Sequence, residues 1–235
     1  MSACATPPQT LPAPPTAAAE ATPTIQWFPP TPTLAPAAQI TRAPTPDLRP
    51  NLGAVILSDA FSDPAHWDTA SSNEASAKIL NGGLTLAAQS GYYLFSLRRE
   101  TLLSDYYVEL SAAPNLCRAE DSYGLLARAN AVAYYRFSLF CNGSISAEKV
   151  SGGSREVLQK TLPSGDAPLG AGLVRMGLWA QGGEMRFFLN GRYQFSIQNE
   201  SYPSGSLGAF INAAGATPVI VTFSDLVVQR LTAEH

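Results

Sequence analysis

Between residues 53 and 232 apolar and polar side chains alternate over short stretches, as they do in strands that bury one face. In Tyr134-Tyr135-Arg136-Phe137-Ser138-Leu139-Phe140, residues 135, 137 and 139 share an apolar face. Met185, Phe187 and Leu189 alternate with Glu184, Arg186 and Phe188 in the same way, and Val174, Met176 and Leu178 alternate with Arg175 and Trp179. Helical periodicity is nearly absent, although Asp63–Asp68 predicts one short turn. Asn-Gly pairs at Asn81-Gly82, Asn142-Gly143 and Asn190-Gly191 each follow a strand-like run and supply the positive φ angles of tight hairpins. About a dozen strands or slightly more are expected, enough for an all-β fold of two packed antiparallel sheets.

Composition sets a boundary near residue 50. Of the 19 prolines, 13 lie in residues 1–50, among Thr and Ala and with few large apolar side chains. Such a segment cannot offset the entropy of ordering, so residues 1–50 are expected to form a disordered tether and residues 53–232 the folded domain. Within the tether Glu20 and Asp47 balance Arg42 and Arg49, which leaves the net charge of −3 to the domain. With no basic stripe, the sequence offers no nucleic-acid surface. No apolar run approaches the roughly 20 residues of a membrane span.

The tether starts at Met1-Ser2-Ala3-Cys4, which resembles the end of a bacterial lipobox, with Cys4 as the lipidated residue. No charged or apolar signal region precedes Cys4, so the true start lies upstream or the chain is trimmed. The expectation is an exported protein, lipid-anchored at the cell surface, that touches the membrane through this anchor alone. Cys117 and Cys141 then remain as a pair, expected to form a disulfide in an oxidising compartment, the alternative being two buried thiols in a reducing one.

Several segments in order resemble a concanavalin A-like, or laminin G-like, jelly roll. They are Asp59-Ala60-Phe61 with Trp67, Gly83-Leu84-Thr85-Leu86, Tyr123-Gly124-Leu125-Leu126-Ala127-Arg128, Phe187-Phe188-Leu189-Asn190-Gly191, and Gly208-Ala209-Phe210 with Val221–Asp225. The likeness spans residues 55–231 and is closest to bacterial domains named for 3-keto-disaccharide hydrolases, many of them on exported lipoproteins. It implies a jelly-roll sandwich, a concave face that binds ligands, and a structural calcium clamped by acids such as Asp59, Asp63 and Asp225. No other cofactor is implied.

Catalytic chemistry is hard to find. Glycoside cleavage needs two carboxylates across the scissile bond, and related jelly-roll glycosidases carry theirs as Glu-x-Asp-x-(x)-Glu on one strand. That cluster is missing here; Glu120 and Asp121 are adjacent and Glu109 stands alone. A hydrolase would have to join Glu109 with Asp121 or Glu184 from separate strands. His66 has no accompanying nucleophile motif. The polar faces offer more: Arg128, Arg136, Arg175 and Trp179, with Tyr134, Phe188 and Asn190, fall opposite the buried positions of their strands. Arg donors and aromatic faces suit sugars, although the same arginines could pair with Glu109 or Glu184 across strands. Three functions are open. The leading one is a non-catalytic module binding carbohydrate or another cell-surface ligand. The others are a glycoside hydrolase and an envelope protein-interaction domain, the last favoured by the apolar run Leu207–Ala216 and by Trp27-Phe28 in the tether.

Overall fold

The alternation of the sequence reappears as alternation of burial. Tyr135, Phe137, Leu139, Met176, Leu178, Met185, Phe187 and Leu189 all lie in one core cluster. The computed structural model describes residues 47–168 and 172–232. Cys4, Trp27-Phe28 and the rest of the tether up to residue 46 lie outside the described residues.

Fifteen strands make up the described domain. They are β1 (Leu52–Asp59), β2 (Ala70–Ser71), β3 (Ala75–Leu80), β4 (Gly83–Ala88), β5 (Tyr93–Leu97), β6 (Tyr106–Leu116), β7 (Ser122–Ala129) and β8 (Ala133–Phe140). Then follow β9 (Ser144–Ser151), β10 (Ser154–Pro163), β11 (Val174–Gln181), β12 (Glu184–Leu189), β13 (Arg192–Gln198), β14 (Ser206–Asn212) and β15 (Val219–Leu231). The turn expected near Asp63–Asp68 is a 3-10 turn at Pro64–His66, capped by the Asp63 carboxylate.

One sheet has nine strands in the order β13-β12-β11-β6-β15-β4-β3-β2, with β1 also on β15. The other has six, β10-β9-β8-β7-β14-β5, and every pairing in both sheets is antiparallel. Strand β15 serves two partners on one edge: its first half pairs with β4 and its second half with β1. The core lies between the sheets. Across it Phe137 of the small sheet stacks on Phe187 and Phe195 of the large one, with ring centroids 5.5 and 6.3 Å apart. Each such aromatic contact adds roughly 1 kcal/mol beyond the area it buries.

Two polar devices close the sandwich. Asp59, at the end of β1, accepts from the Phe61 amide at 2.8 Å, Trp67 Nε1 at 3.0 Å and Arg98 Nε at 3.1 Å. This fixes the 3-10 turn and the end of β5 to the first strand. At the other device Arg128 departs from the expected pattern. Its φ of 48° and the register shift opposite Ser206–Gly208 break the alternation of β7. The side chain turns inward and is 1% exposed. It donates to three backbone carbonyls: Gly182 O at 2.7 Å, Ser104 O at 2.7 Å and Tyr202 O at 3.2 Å. Arg128 therefore belongs to no ligand-binding face; it clamps loops of both sheets together.

The expected disulfide is present. Cys117 follows β6 and Cys141 follows β8, and their Cα atoms are 5.6 Å apart. It joins one strand of each sheet across a sequence separation of 24 residues.

Two stability outcomes follow from these links. Replacing Cys117 and Cys141 together by Ser should lower unfolding stability by about 3 kcal/mol through the freed loop, read as a shift of the urea midpoint with the β-rich circular dichroism retained. Arg128→Met should cost about 3 kcal/mol, because it removes three hydrogen bonds made by a buried guanidinium; a urea midpoint like that of the wild type would show the clamp to be dispensable.

Candidate functional site

The residues expected to form one ligand face are divided between opposite sides of the sandwich. Tyr134 and Arg136 lie on the outer side of the six-stranded sheet, in a cluster with Phe95, Leu126 and Phe210. There Arg136 faces Glu148 directly across β8 and β9 and donates through Nε at 2.8 Å. Its guanidinium also lies over the Tyr93 and Phe210 rings, at 5.4 and 5.6 Å. Burial opposes the charge, but the hydrogen bond and charge of Glu148 outweigh it and hold the Arg136 pKa above its ordinary value. With 7% exposure, Arg136 is a buried cross-strand partner of Glu148.

Arg175, Trp179, Phe188 and Asn190 share the outer face of the nine-stranded sheet. The register of β6, β11 and β12 arranges that face in rows. Ser111 stands beside Arg175, Glu109 beside Gly177 and Phe188, and Tyr107 beside Trp179 and Arg186. Successive rows are about 7 Å apart along the strands, two residues of β rise. Gly177 in the middle row matters for what it lacks. A Cβ there would sit 2.8 Å from the Tyr107 hydroxyl and 3.3 Å from Phe188 Cβ, so bare backbone lets these side chains approach.

A cleft of about 430 Å³ opens on the first two rows, lined by Arg49, Glu109, Ser111, Leu173, Arg175, Asn190 and Gly191. Its end is built by the Asn190-Gly191 hairpin, whose φ values of 51° and 77° are those the pair is suited to. Asn190 accepts from the Arg175 amide at 3.0 Å and donates to Asp166 O at 3.1 Å, so it holds the rim in place. Arg175 is largely free: its side chain is 60% exposed and its nearest carboxylate contact is Glu109, at 3.8 Å. Glu109 is oriented from below. Burial pushes the Tyr107 phenol well above its ordinary pKa, so the hydroxyl keeps its proton and donates to Glu109 at 2.7 Å.

Beside the cleft, Asp47–Pro50 crosses the sheet as a strap, although these residues fall within the expected tether. Trp179 Nε1 donates to Pro50 O at 3.0 Å, and Arg186 donates to Leu48 O at 2.9 Å. Leu48 packs on the buried group formed by Tyr107, Trp179, Phe188 and Leu231. Arg49 reaches the Tyr107 hydroxyl at 3.3 Å and lies 5.6 Å from the Tyr107 and Phe188 ring centres. Sequence reasoning placed neither Arg49 nor Tyr107 in a site. The period-two series Tyr107, Glu109, Ser111 carried the signal for the second.

The acids expected to form a hydrolytic pair, Glu109 with Asp121 or Glu184, do not come together in this cleft. Glu109 is the one acid among the described lining residues. Glu184 pairs with Arg186 at 2.8 Å. By register it lies two strands over and four residues along from Glu109, roughly 16 Å away, well beyond the roughly 5–9.5 Å of glycosidase pairs. Asp121 is fully buried and spends its oxygens on the Gly215 and Arg118 amides. The expected calcium ligands do not fit a cation either. The Arg98 guanidinium already occupies the Asp59 carboxylate, Asp63 caps the 3-10 turn, and Asp225 is exposed beside Ser224. Among the described residues no three His, Cys, Asp or Glu side chains gather as a metal site.

No family model matches the chain, and comparison with curated proteins finds no match. Solved structures do match. The carbohydrate-binding module CBM66 from Bacillus subtilis aligns with a TM-score of 0.56 at 14% identity, over 70% of this chain and 95% of that one. A Bacillus subtilis protein of unknown function with a galectin-like fold aligns at 0.58 and 14% identity, over 78% of this chain and 99% of its own. The catalytic domain of an endo-1,3-beta-glucanase (laminarinase) from Thermotoga petrophila aligns at 0.52 and 10% identity, over 77% and 98%. Identities this low speak to architecture alone, and the architecture of this chain is the concanavalin A-like jelly roll.

Proposed function

We propose that this chain is a non-catalytic glycan-binding module, exported and held at the cell surface by a lipid on Cys4. The observation that carries the proposal is the cleft on the nine-stranded sheet, where free donors and a fixed acceptor meet on rigid strands. A sugar hydroxyl both donates and accepts. Vicinal hydroxyls can take hydrogen bonds from the Arg175 guanidinium and give them to the Glu109 carboxylate. Leu173, 66% exposed at the rim, offers an apolar contact for the C–H face of the ring. With one carboxylate, the cleft has an orienting group but no acid–base pair, which favours holding the sugar over cutting it. The jelly-roll neighbours add weight, since one is named as a carbohydrate-binding module and another as a glucanase domain.

The test is a glycan array of neutral oligosaccharides, including β-1,3-glucans, probed with the full chain. The wild type should capture at least one neutral series without cleaving it. Arg175→Ala and Glu109→Gln should each weaken capture by about tenfold or more, as expected for a lost hydrogen bond to a charged group, with urea midpoints unchanged. A wild type that captures no glycan, or an Arg175→Ala variant that binds as well as the wild type, would overturn the proposal.

A further inference from the structure

The strap rests on a surface that suits a sugar better than it suits a linker. Beneath it are Trp179, Phe188 and Tyr107, three aromatic side chains on adjacent strands, with the Arg186 guanidinium stacked 4.4 Å above the Trp179 ring. The strap meets them with one apolar side chain, Leu48, and with backbone carbonyls that accept from Trp179 Nε1 and Arg186. An apolar body over aromatic rings, with acceptor oxygens for an indole N–H and a guanidinium, is also the chemistry of a hydroxylated ring. The place is continuous with the cleft. Arg49 belongs to the strap and lines the cleft, and the row of Tyr107 and Trp179 lies two rows, about 14 Å, from that of Ser111 and Arg175 along the same strands.

We propose that the strap is a displaceable occupant of an extended glycan site: a longer oligosaccharide that starts in the cleft runs along β6, β11 and β12, lifts Leu48–Pro50, and lays further sugar rings on Trp179 and Phe188. This rests on glycan binding in the cleft and extends it to chain length. A disaccharide stays within the cleft and leaves the strap seated. A hexasaccharide reaches the strap and must displace it, so its affinity is reduced by the stability of the strapped state, and a weaker strap restores it.

The experiment compares neutral di- and hexasaccharides of each series captured on the array, using the full chain. Leu48→Ser, which removes the strap's apolar contact with the sheet and changes no residue that lines the cleft, should raise hexasaccharide affinity by about fivefold and leave disaccharide affinity unchanged. Trp179→Ala should weaken hexasaccharide capture and leave disaccharide capture unchanged. If disaccharide binding survives but Leu48→Ser leaves hexasaccharide affinity as it was, or Trp179→Ala leaves hexasaccharide capture at the wild-type level, the strap is a fixed structural part and the inference fails while the cleft stands. Loss of all glycan binding in the wild type would defeat both.

Discussion

The structure depends on the two-residue repeat of three neighbouring strands, β6, β11 and β12. One set of alternate residues, including Val108, Leu110, Met176, Leu178, Phe187 and Leu189, fills the space between the sheets. The other set, including Tyr107, Glu109, Ser111, Arg175, Trp179 and Phe188, forms the outer rows. Packing and recognition therefore share a single register. A slip by one residue would bring Glu109 and Arg175 into the core, where an ion pair has little to stabilise it. The core thus holds the site in alignment with no residues set aside for that task.

That coupling explains why so much was legible beforehand. Alternation identified the buried positions of these strands, the Asn190-Gly191 pair marked the hairpin that ends the cleft, and an even cysteine pair pointed to the disulfide. All three are local signals. What escaped was non-local. Arg136 and Arg175 occupy equivalent positions on their own strands, yet their strands belong to different sheets, and a period of two says nothing about which sheet a strand joins. Arg128 escaped for another reason: its left-handed backbone sits in Ala127-Arg128-Ala129, with no glycine or asparagine to announce a break. The strap was hidden by its neighbours. Asp47 to Pro50 has the composition of the tether, and only the aromatic partners waiting on β6, β11 and β12 give it a fixed place.

The handling of charge is consistent across the domain. Asp59 is tied to Arg98, Arg136 to Glu148, Glu184 to Arg186, and Arg128 to backbone carbonyls. Apart from the Arg186 donor that holds Leu48 O, each has little freedom left for an incoming group. Arg175 differs in making only a loose contact at 3.8 Å while lying open to solvent. Such a guanidinium keeps most of its five donors available and loses little hydration before a ligand arrives. The distinction between spent and unspent hydrogen-bonding capacity separates the cleft from the buried cluster on the other sheet, which has the same residue types.

Strands β1 and β15 pair from Leu52 opposite Leu231 onward, and the Thr232 amide donates to Asn51 O at 2.9 Å. The two ends of the folded domain are therefore neighbours. A domain that begins and ends at one point behaves as a portable cassette: it can sit on a stalk, or be spliced into a surface loop of another protein, without stretching the host or parting its own sheets. Rejoining its ends and opening a hairpin elsewhere would change the order of the strands in the gene and leave their order in space intact.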